Sequence, residues 1–285
     1  MRIVKSTPHN HLRTSSYITE RDANQAVQIA SQRLGKGGVF GVVGFNPSST
    51  EVDPRWDLFV QNLRYEKIST INGIYLSEKD LLAIREQEVP TAEGYHVLLI
   101  GTTPDQNIKN GSSLDEVLDL GEKFGALVVA DHPFGRRGIG EFLQDSPEYY
   151  KKFHGYEVFN GIIRESQNRS AQEEYDAVRI GYPQLSEFVS DDGHSTYELG
   201  RSYSNIRMPN HYEPFRNDPE KVNETLKNGY QANRDENLGH QRTPCRRGYL
   251  DHAADLILLI AARKLFGWDG NRKTAPFFDR FGIRI

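Results

Sequence analysis

Cysteine, methionine and tryptophan are scarce in this chain: one Cys, two Met and two Trp among 285 residues. A lone thiol, Cys245, cannot close an intramolecular disulfide, so the fold does not rest on cross-links and suits a reducing compartment. The segment from Met1 to His9 has no apolar run followed by a small-residue cleavage site, and is read as carrying no signal peptide. Long apolar runs are missing too. The most apolar stretch, 250–266, holds Asp251, Asp255, Arg263 and Lys264, which reads as a core or interface helix rather than a membrane span. These absences are read as those of a cytoplasmic protein that does not engage a membrane. Positive charge is not in excess either. Lys and Arg number 35 against 39 Asp and Glu, a net charge of −4, which argues against a general nucleic-acid footprint while leaving a local basic patch open.

What is present is an ordinary globular composition, 37% apolar and 26% charged. The length accommodates a single α/β barrel of roughly 200–250 residues. Strand and helix signals alternate. Residues 2–6, 39–44, 68–76, 96–101, 126–130, 156–159 and 185–190 read as strands, several of them short apolar runs bounded by glycine. Residues 20–34, 54–64, 79–88 and 114–124 read as helices. Thr19 with Asp22, and Ser113 with Glu116, are spaced as capping boxes, and Gly35 supplies a stop. Such alternation predicts right-handed crossovers and a parallel sheet. Residues 205–248 are polar and rich in Asn, Arg, Pro and Gly, and read as irregular apart from a helix near 219–227. A barrel over 1–230 and a C-terminal extension over 231–285 are expected, the extension ending in a helix that packs on the barrel or on a second copy of the chain.

Candidate ligands gather at or near the strand ends, where parallel α/β barrels carry their sites. His9 and His11 are two apart, which on a strand places both on one face. His96 opens a strand. His132 follows a buried strand and is locked by Pro133, while Asp131 beside it fits equally a cap or a loop. Glu157 lies within an apolar strand, costly for an acid unless it is paired or coordinated. Asp192 and His194 again stand two apart, after the strand at 185–190. Each signal is modest alone. Together they form a mixed His/carboxylate set suited to Zn²⁺, Mn²⁺ or Fe²⁺.

The order of these motifs resembles the polymerase-and-histidinol-phosphatase (PHP) family: His9-Asn10-His11, then His96, then His132-Pro133, then Glu157-Val158-Phe159-Asn160, then Asp192-Gly193-His194. The resemblance covers roughly residues 1–230. It implies a distorted, TIM-like (β/α)7 barrel, a site for up to three divalent ions, and hydrolysis of phosphoesters, either small phosphomonoesters or nucleotides and oligonucleotides. Departures from the pattern are also visible. Thr7 stands where the family has Asp, and only Ser15 and Ser16 follow the histidine pair. Asn46 stands where a metal histidine is usual. Gly73-Ile74-Tyr75 puts a phenol at the place of an acid that bridges two ions, with Glu78 a distant substitute. A phenol is a poor bridge at neutral pH, so one or two ions are expected rather than three.

On this reading His9, His11 and Asp192 hold one ion, and His96, His132 and Glu157 hold a second. His194 completes a third site or acts as general acid. Arg136, Arg164 and Arg201, on strand-end loops, are candidates for contacting phosphate, with Arg137 beside the first. The basic residues Arg242, Arg246 and Arg247 read as surface or interface. Two further readings stand beside the hydrolase. A catalytically degenerate barrel that binds a ligand or partner would account for Thr7, Asn46 and Tyr75. An amidohydrolase shares the opening His-x-His but fits the closing Asp-x-His poorly.

Overall fold

A computed structural model describes residues 1–13, 17–44, 53–70, 72–212 and 219–244. Ser15, Ser16, Asn46, Cys245, Arg246, Arg247 and the helix expected near the C-terminus lie outside them. The described residues form eleven strands and six α-helices. The first half contains β1 (Arg2–Thr7), α1 (Glu20–Leu34), β2 (Val39–Gly44), α2 (Arg55–Gln61), β3 (Lys67–Ser69), β4 (Gly73–Leu76), β5 (Leu81–Pro90) and β6 (His96–Ile100). There follow α3 (Leu114–Lys123), β7 (Leu127–Ala130), α4 (Gly140–Asp145), a 3-10 turn (Pro147–Lys152), β8 (Gly155–Asn160), α5 (Glu165–Val178) and β9 (Ser186–Ser190). The described chain ends with β10 (Tyr203–Met208), α6 (Pro219–Glu236) and β11 (His240–Gln241). The box at α1 forms as its spacing predicts: Asp22 N–H donates to Thr19 Oγ1 at 3.2 Å and Thr19 N–H donates to the Asp22 carboxylate at 2.9 Å.

Several expectations need correction, among them the single strand over 68–76, which is instead the antiparallel pair β3 and β4. Residues 79–88 are not a helix but most of β5. Arg85, Glu86 and Glu88 look like a solvated helical face, yet all three are buried. The sheet is mixed rather than parallel. β1, β2 and β5 run parallel, as do β7, β8 and β9, but β6 is antiparallel to both β5 and β7, and β10 is antiparallel to β1. Residues 205–248 are not irregular throughout, since β10 pairs with β1 along its length and α6 runs unbroken across residue 230.

Strands run in the order β11-β10-β1-β2-β5-β6-β7-β8-β9, with the β3–β4 hairpin attached to β5. The ends of this sheet approach one another, and α6 packs against both β9 and β10, so the sheet curls into a nearly closed barrel. Above that contact, single bridges join Asn10 to Gly193 and Arg13 to Ser195. No helix among the described residues is long and apolar enough to cross a membrane.

The period-two alternation of the strands sorts side chains into an inside and an outside. On β7, Leu127 and Val129 face in while Val128 and Ala130 face the α3 side. The inner layer contains Val4, Val39, Leu82, Ile84, Leu98, Ile100, Phe188 and Ile206, and Val222, Leu226 and Tyr230 of α6 join it. Each such fully buried aliphatic contributes about 1.5–3 kcal/mol by leaving water. Asn223 of α6 donates to the carbonyls of Gly101 and Gly125, at the barrel end away from the start of β6. This layer is therefore a floor. On β5 the same alternation continues from Leu82 and Ile84 to Glu86 and Glu88, and on β6 it leads back from Leu98 to His96. The polar layer above the floor is the candidate site.

Candidate metal centre

The first two histidines are not on a strand. β1 stops at Thr7, so the expectation that His9 and His11 share a strand face is corrected. Their convergence comes from the turn that follows. His9 and Leu12 have left-handed backbones (φ 61° at each), and the N–H groups of His11 and Leu12 both donate to Gly193 O, at 2.8 and 3.2 Å. His132 and Asp192 also have positive φ, 24° and 47°. Such conformations cost of order 1–3 kcal/mol each in non-glycine residues and concentrate at functional sites.

Glu88 sits at the middle of the cluster. Its Oε2 lies 3.2 Å from His11 Nε2 and 3.8 Å from His9 Nε2, while Oε1 lies 3.4 Å from His132 Nε2 and pairs closely with His96 Nδ1. Asp131 is fully buried, with Oδ1 3.0 Å from His9 Nδ1 and Oδ2 3.4 Å from His132 Nε2. Asp192 Oδ1 is 3.3 Å from His9 Nε2 and 3.4 Å from His11 Nε2. Among the described residues, three groups thus present ligand atoms within 4.8 Å of one another: Glu88, His96, Asp131 and His132; His9, His11 and Asp192; and His9, Asp131 and Glu157. His9 and Asp131 each belong to two groups.

Glu157 is held differently. It accepts hydrogen bonds from the backbone N–H of His132 at 2.7 Å, from Asn160 Nδ2 at 3.0 Å and from Ser190 Oγ. Its Oε1 also lies 3.3 Å from His9 Nδ1. Asn160 also donates to Asp192 Oδ2 at 3.0 Å, and Asn168 in turn exchanges two hydrogen bonds with the Asn160 backbone.

Burial opposes every charge here, and at His9, His132, Glu88 and Asp192 the opposite charges prevail over it. His9 is held well above its ordinary pKa by Asp131 and Asp192, and His132 is pushed up to about 10 by Asp131 and Glu88. Glu88 is held well below the carboxylate range by His96, His11 and His132, and Asp192 is held low by His9, His11 and His194. Desolvation wins at Asp131, which rises to about 6, and at Glu86, which rises to about 8.

A divalent ion fits this donor set. His9 Nε2, both oxygens of Asp131, Asp192 Oδ1 and His132 Nδ1 are buried without a hydrogen bond. A buried polar atom left unbonded costs about 1–3 kcal/mol, and here several face one another. Ligands about 2.0–2.2 Å from one ion in tetrahedral array sit about 3.3–3.6 Å apart, within the 3.0–3.8 Å range of these contacts. Mixed imidazole and carboxylate donors suit Zn²⁺, Mn²⁺ or Fe²⁺.

The structure brings His9, His11, His96, His132, Glu157 and Asp192 into one cluster, with His194 at its edge. The His194 ring stacks 4.5 Å from that of His11, Nδ1 lies 2.9 Å from Asp192 O, and a fifth of the side chain is exposed. Arg136 and Arg164 are exposed on the loops after β7 and β8, and Arg201 is half-buried with its N–H on Asp191. Sequence reasoning missed Glu88 and left Asp131 open as a cap or loop residue. It also placed Tyr75 where the bridging acid belongs. Tyr75 instead donates to Asp80 at 3.2 Å and packs on Tyr212, and Glu78 accepts from Glu66 N–H in an exposed turn. Thr7 donates to the buried carboxylate of Asp191 at 3.1 Å.

No protein-family model matches the sequence, and no curated protein matches it. Solved structures do resemble the fold. The lesion-specific endonuclease PfuEndoQ of Pyrococcus furiosus has a TM-score of 0.56 at 14% identity, over 81% of this chain and 56% of that one. PsfC of Pseudomonas syringae has a TM-score of 0.53 at 13% identity, over 75% and 85%. A two-domain Bacteroides vulgatus protein, described as containing a "predicted PHP-like metal-dependent phosphoesterase", has a TM-score of 0.50 at 15% identity, over 80% and 64%. The match thus spans somewhat under two thirds of the first and third of these proteins.

Proposed function

From the PHP-like barrel fold that these likenesses show, we propose that the chain is a metal-dependent hydrolase of phosphoesters. The observation that carries this reading is Glu88, whose two carboxylate oxygens each face a different pair of histidines. His9, His11 and Asp192 would hold one ion. His96, His132 and Asp131 would hold another, with Glu88 shared between them. Bound divalent ions supply a low pKa for attacking water and neutralise charge on the phosphoryl oxygens. The protein's own groups do the rest. Glu157, fixed by Ser190, Asn160 and the His132 N–H, orients His9 through Nδ1 and leaves Nε2 for metal. His194, tethered to Asp192 O and reaching the surface, is placed to give a proton to the leaving oxygen. Arg136, Arg164 and Arg201 supply guanidinium partners for phosphate.

The substrate class is a phosphomonoester, a nucleotide or an oligonucleotide. The endonuclease with the same fold supports the last of these, and the net charge of −4 gives it no general electrostatic help. The test is elemental analysis followed by hydrolysis assays on a phosphomonoester, a phosphodiester and a short oligonucleotide, with and without chelator. Expected are more than one ion per chain and hydrolysis that a chelator abolishes and Mn²⁺ or Zn²⁺ restores. No bound ion after both metals have been offered would overturn the proposal, and so would hydrolysis indifferent to chelation.

A further inference from the structure

Of the buried acids outside the ligand groups, Glu86 reaches the turn that carries His9. Glu86 lies two residues before Glu88 on the inner face of β5 and is 2% exposed. Its Oε2 accepts the backbone N–H of His9 at 2.8 Å. That N–H lies past the end of the β1–β2 ladder, whose last pair is Thr7 with Phe40. It therefore needs an acceptor from elsewhere, because buried backbone donors are almost always paired. A carboxyl group supplies a strong one. The residue so held has a left-handed backbone, φ 61°, which side-chain-bearing residues rarely adopt.

The neighbouring strand is cut to fit. Gly41 of β2 stands opposite Ile84, and Val43 stands opposite Glu86. A Cβ at position 41 would lie 2.0, 2.1 and 2.2 Å from Oε2, Cδ and Oε1 of Glu86. Only glycine leaves room for the carboxyl to lean across β2 toward His9. The hydrogen bond and the missing side chain are separate observations, and both fix the position of the same carboxyl group.

We propose that Glu86 is a positioning residue for the metal centre: it locks the left-handed turn at His9 and thereby aims Nε2 of that ring at His11 and Asp192. The inference rests on the metal-dependent reading above and adds to it an acid that binds no metal.

The experiment measures Zn²⁺ affinity by chelator competition alongside thermal unfolding. Glu86→Asp retracts the carboxyl by one methylene, and Gly41→Ala displaces it. Each is expected to weaken Zn²⁺ binding by about tenfold or more, the usual effect of losing an outer partner of a ligand. Glu86→Gln, whose carbonyl oxygen can accept the same hydrogen, is expected to keep wild-type affinity. In a Glu86→Ala background, Gly41→Ala is expected to cost nothing further. Variants that melt lower but bind Zn²⁺ like the wild type would make Glu86 purely structural and overturn the proposal. A wild-type chain that binds no Zn²⁺ is a separate failure, which removes the metal reading and this proposal with it.

Discussion

Asn160 fixes the orientation of Asp192: its side-chain amide donates to Oδ2 at 3.0 Å, leaving Oδ1 turned toward His9 and His11. The same nitrogen reaches Glu157 Oε2, also at 3.0 Å, so one amide aligns two acids from adjacent strand ends. Asn160→Ala should therefore weaken metal binding by about 10–100-fold while the chain stays folded. Asn160→Asp should do worse, since it sets a third carboxylate between two others. Zn²⁺ titration of both variants checks this, and equal affinity for the two would count against an orienting role.

Glu88 faces both histidine pairs, whereas His96 faces only one side of it. Glu88→Gln should deplete both ions together, and His96→Ala should deplete one. Elemental analysis of the purified variants distinguishes the cases. Depletion of a single ion by Glu88→Gln would mean that the two sets are held independently.

The pH dependence of the metal-free protein has a definite sign. Folded pKa values raised above the unfolded ones, at Glu86 (about 8), Asp191 and Glu198 (both about 7) and His132 (about 10), give stability that is complete at low pH and is lost as pH rises through those values. The depressed acids Glu88, Glu157 and Asp192 act oppositely, giving stability that is lost as pH falls below the ordinary carboxylate range. Stability of the metal-free chain should peak at about pH 4.5–6 and decline toward alkaline pH. Zn²⁺ should move the optimum upward, because ligand histidines must be neutral to bind. Melting curves across pH with and without Zn²⁺ test both statements. A metal-free optimum at or above pH 8 would contradict the assignment.

The exposed loop arginines allow a cleaner separation of roles. Arg136→Ala and Arg164→Ala should change folding stability by no more than about 0.5 kcal/mol, as surface substitutions do. Metal content should not change. If these residues meet phosphate, KM for a phosphoester rises while bound metal stays constant. An unaltered KM in both variants would remove them from the site.

Much of the fold was legible because buried strands announce themselves as short apolar runs, as at Val39–Gly44 and Leu127–Ala130. The site was legible through histidines, which stand out against such runs. β5 was not, because its inner face changes from Leu82 and Ile84 to Glu86 and Glu88 partway along, and charge within a run reads as solvent exposure. The available signal was spacing. The two acids continue the same i, i+2 series as the two aliphatics, which a helix would not preserve. The reversal of β6 had a signal as well, since residues 91–95 are too few for a crossover between parallel strands, which takes a dozen or more. The turn that makes His9 and His11 converge had none, because left-handed backbone at His9 depends on Glu86 and Gly41 from distant strands.

The antiparallel course of β6 also divides the site by how far apart in the chain its parts begin. Glu88 and His96 lie on the two arms of a single short hairpin and can meet before most of the molecule has folded, since closing a small loop costs little entropy. His9 follows β1 and Asp192 follows β9, far apart in the chain, and they meet only when β9 has been laid down and the Asn10–Gly193 bridge has closed. One half of the centre is thus a local structure and the other a seam. An ion held by the seam would tie the first turn of the chain to β9, so metal occupancy there and closure of the barrel would stabilise one another.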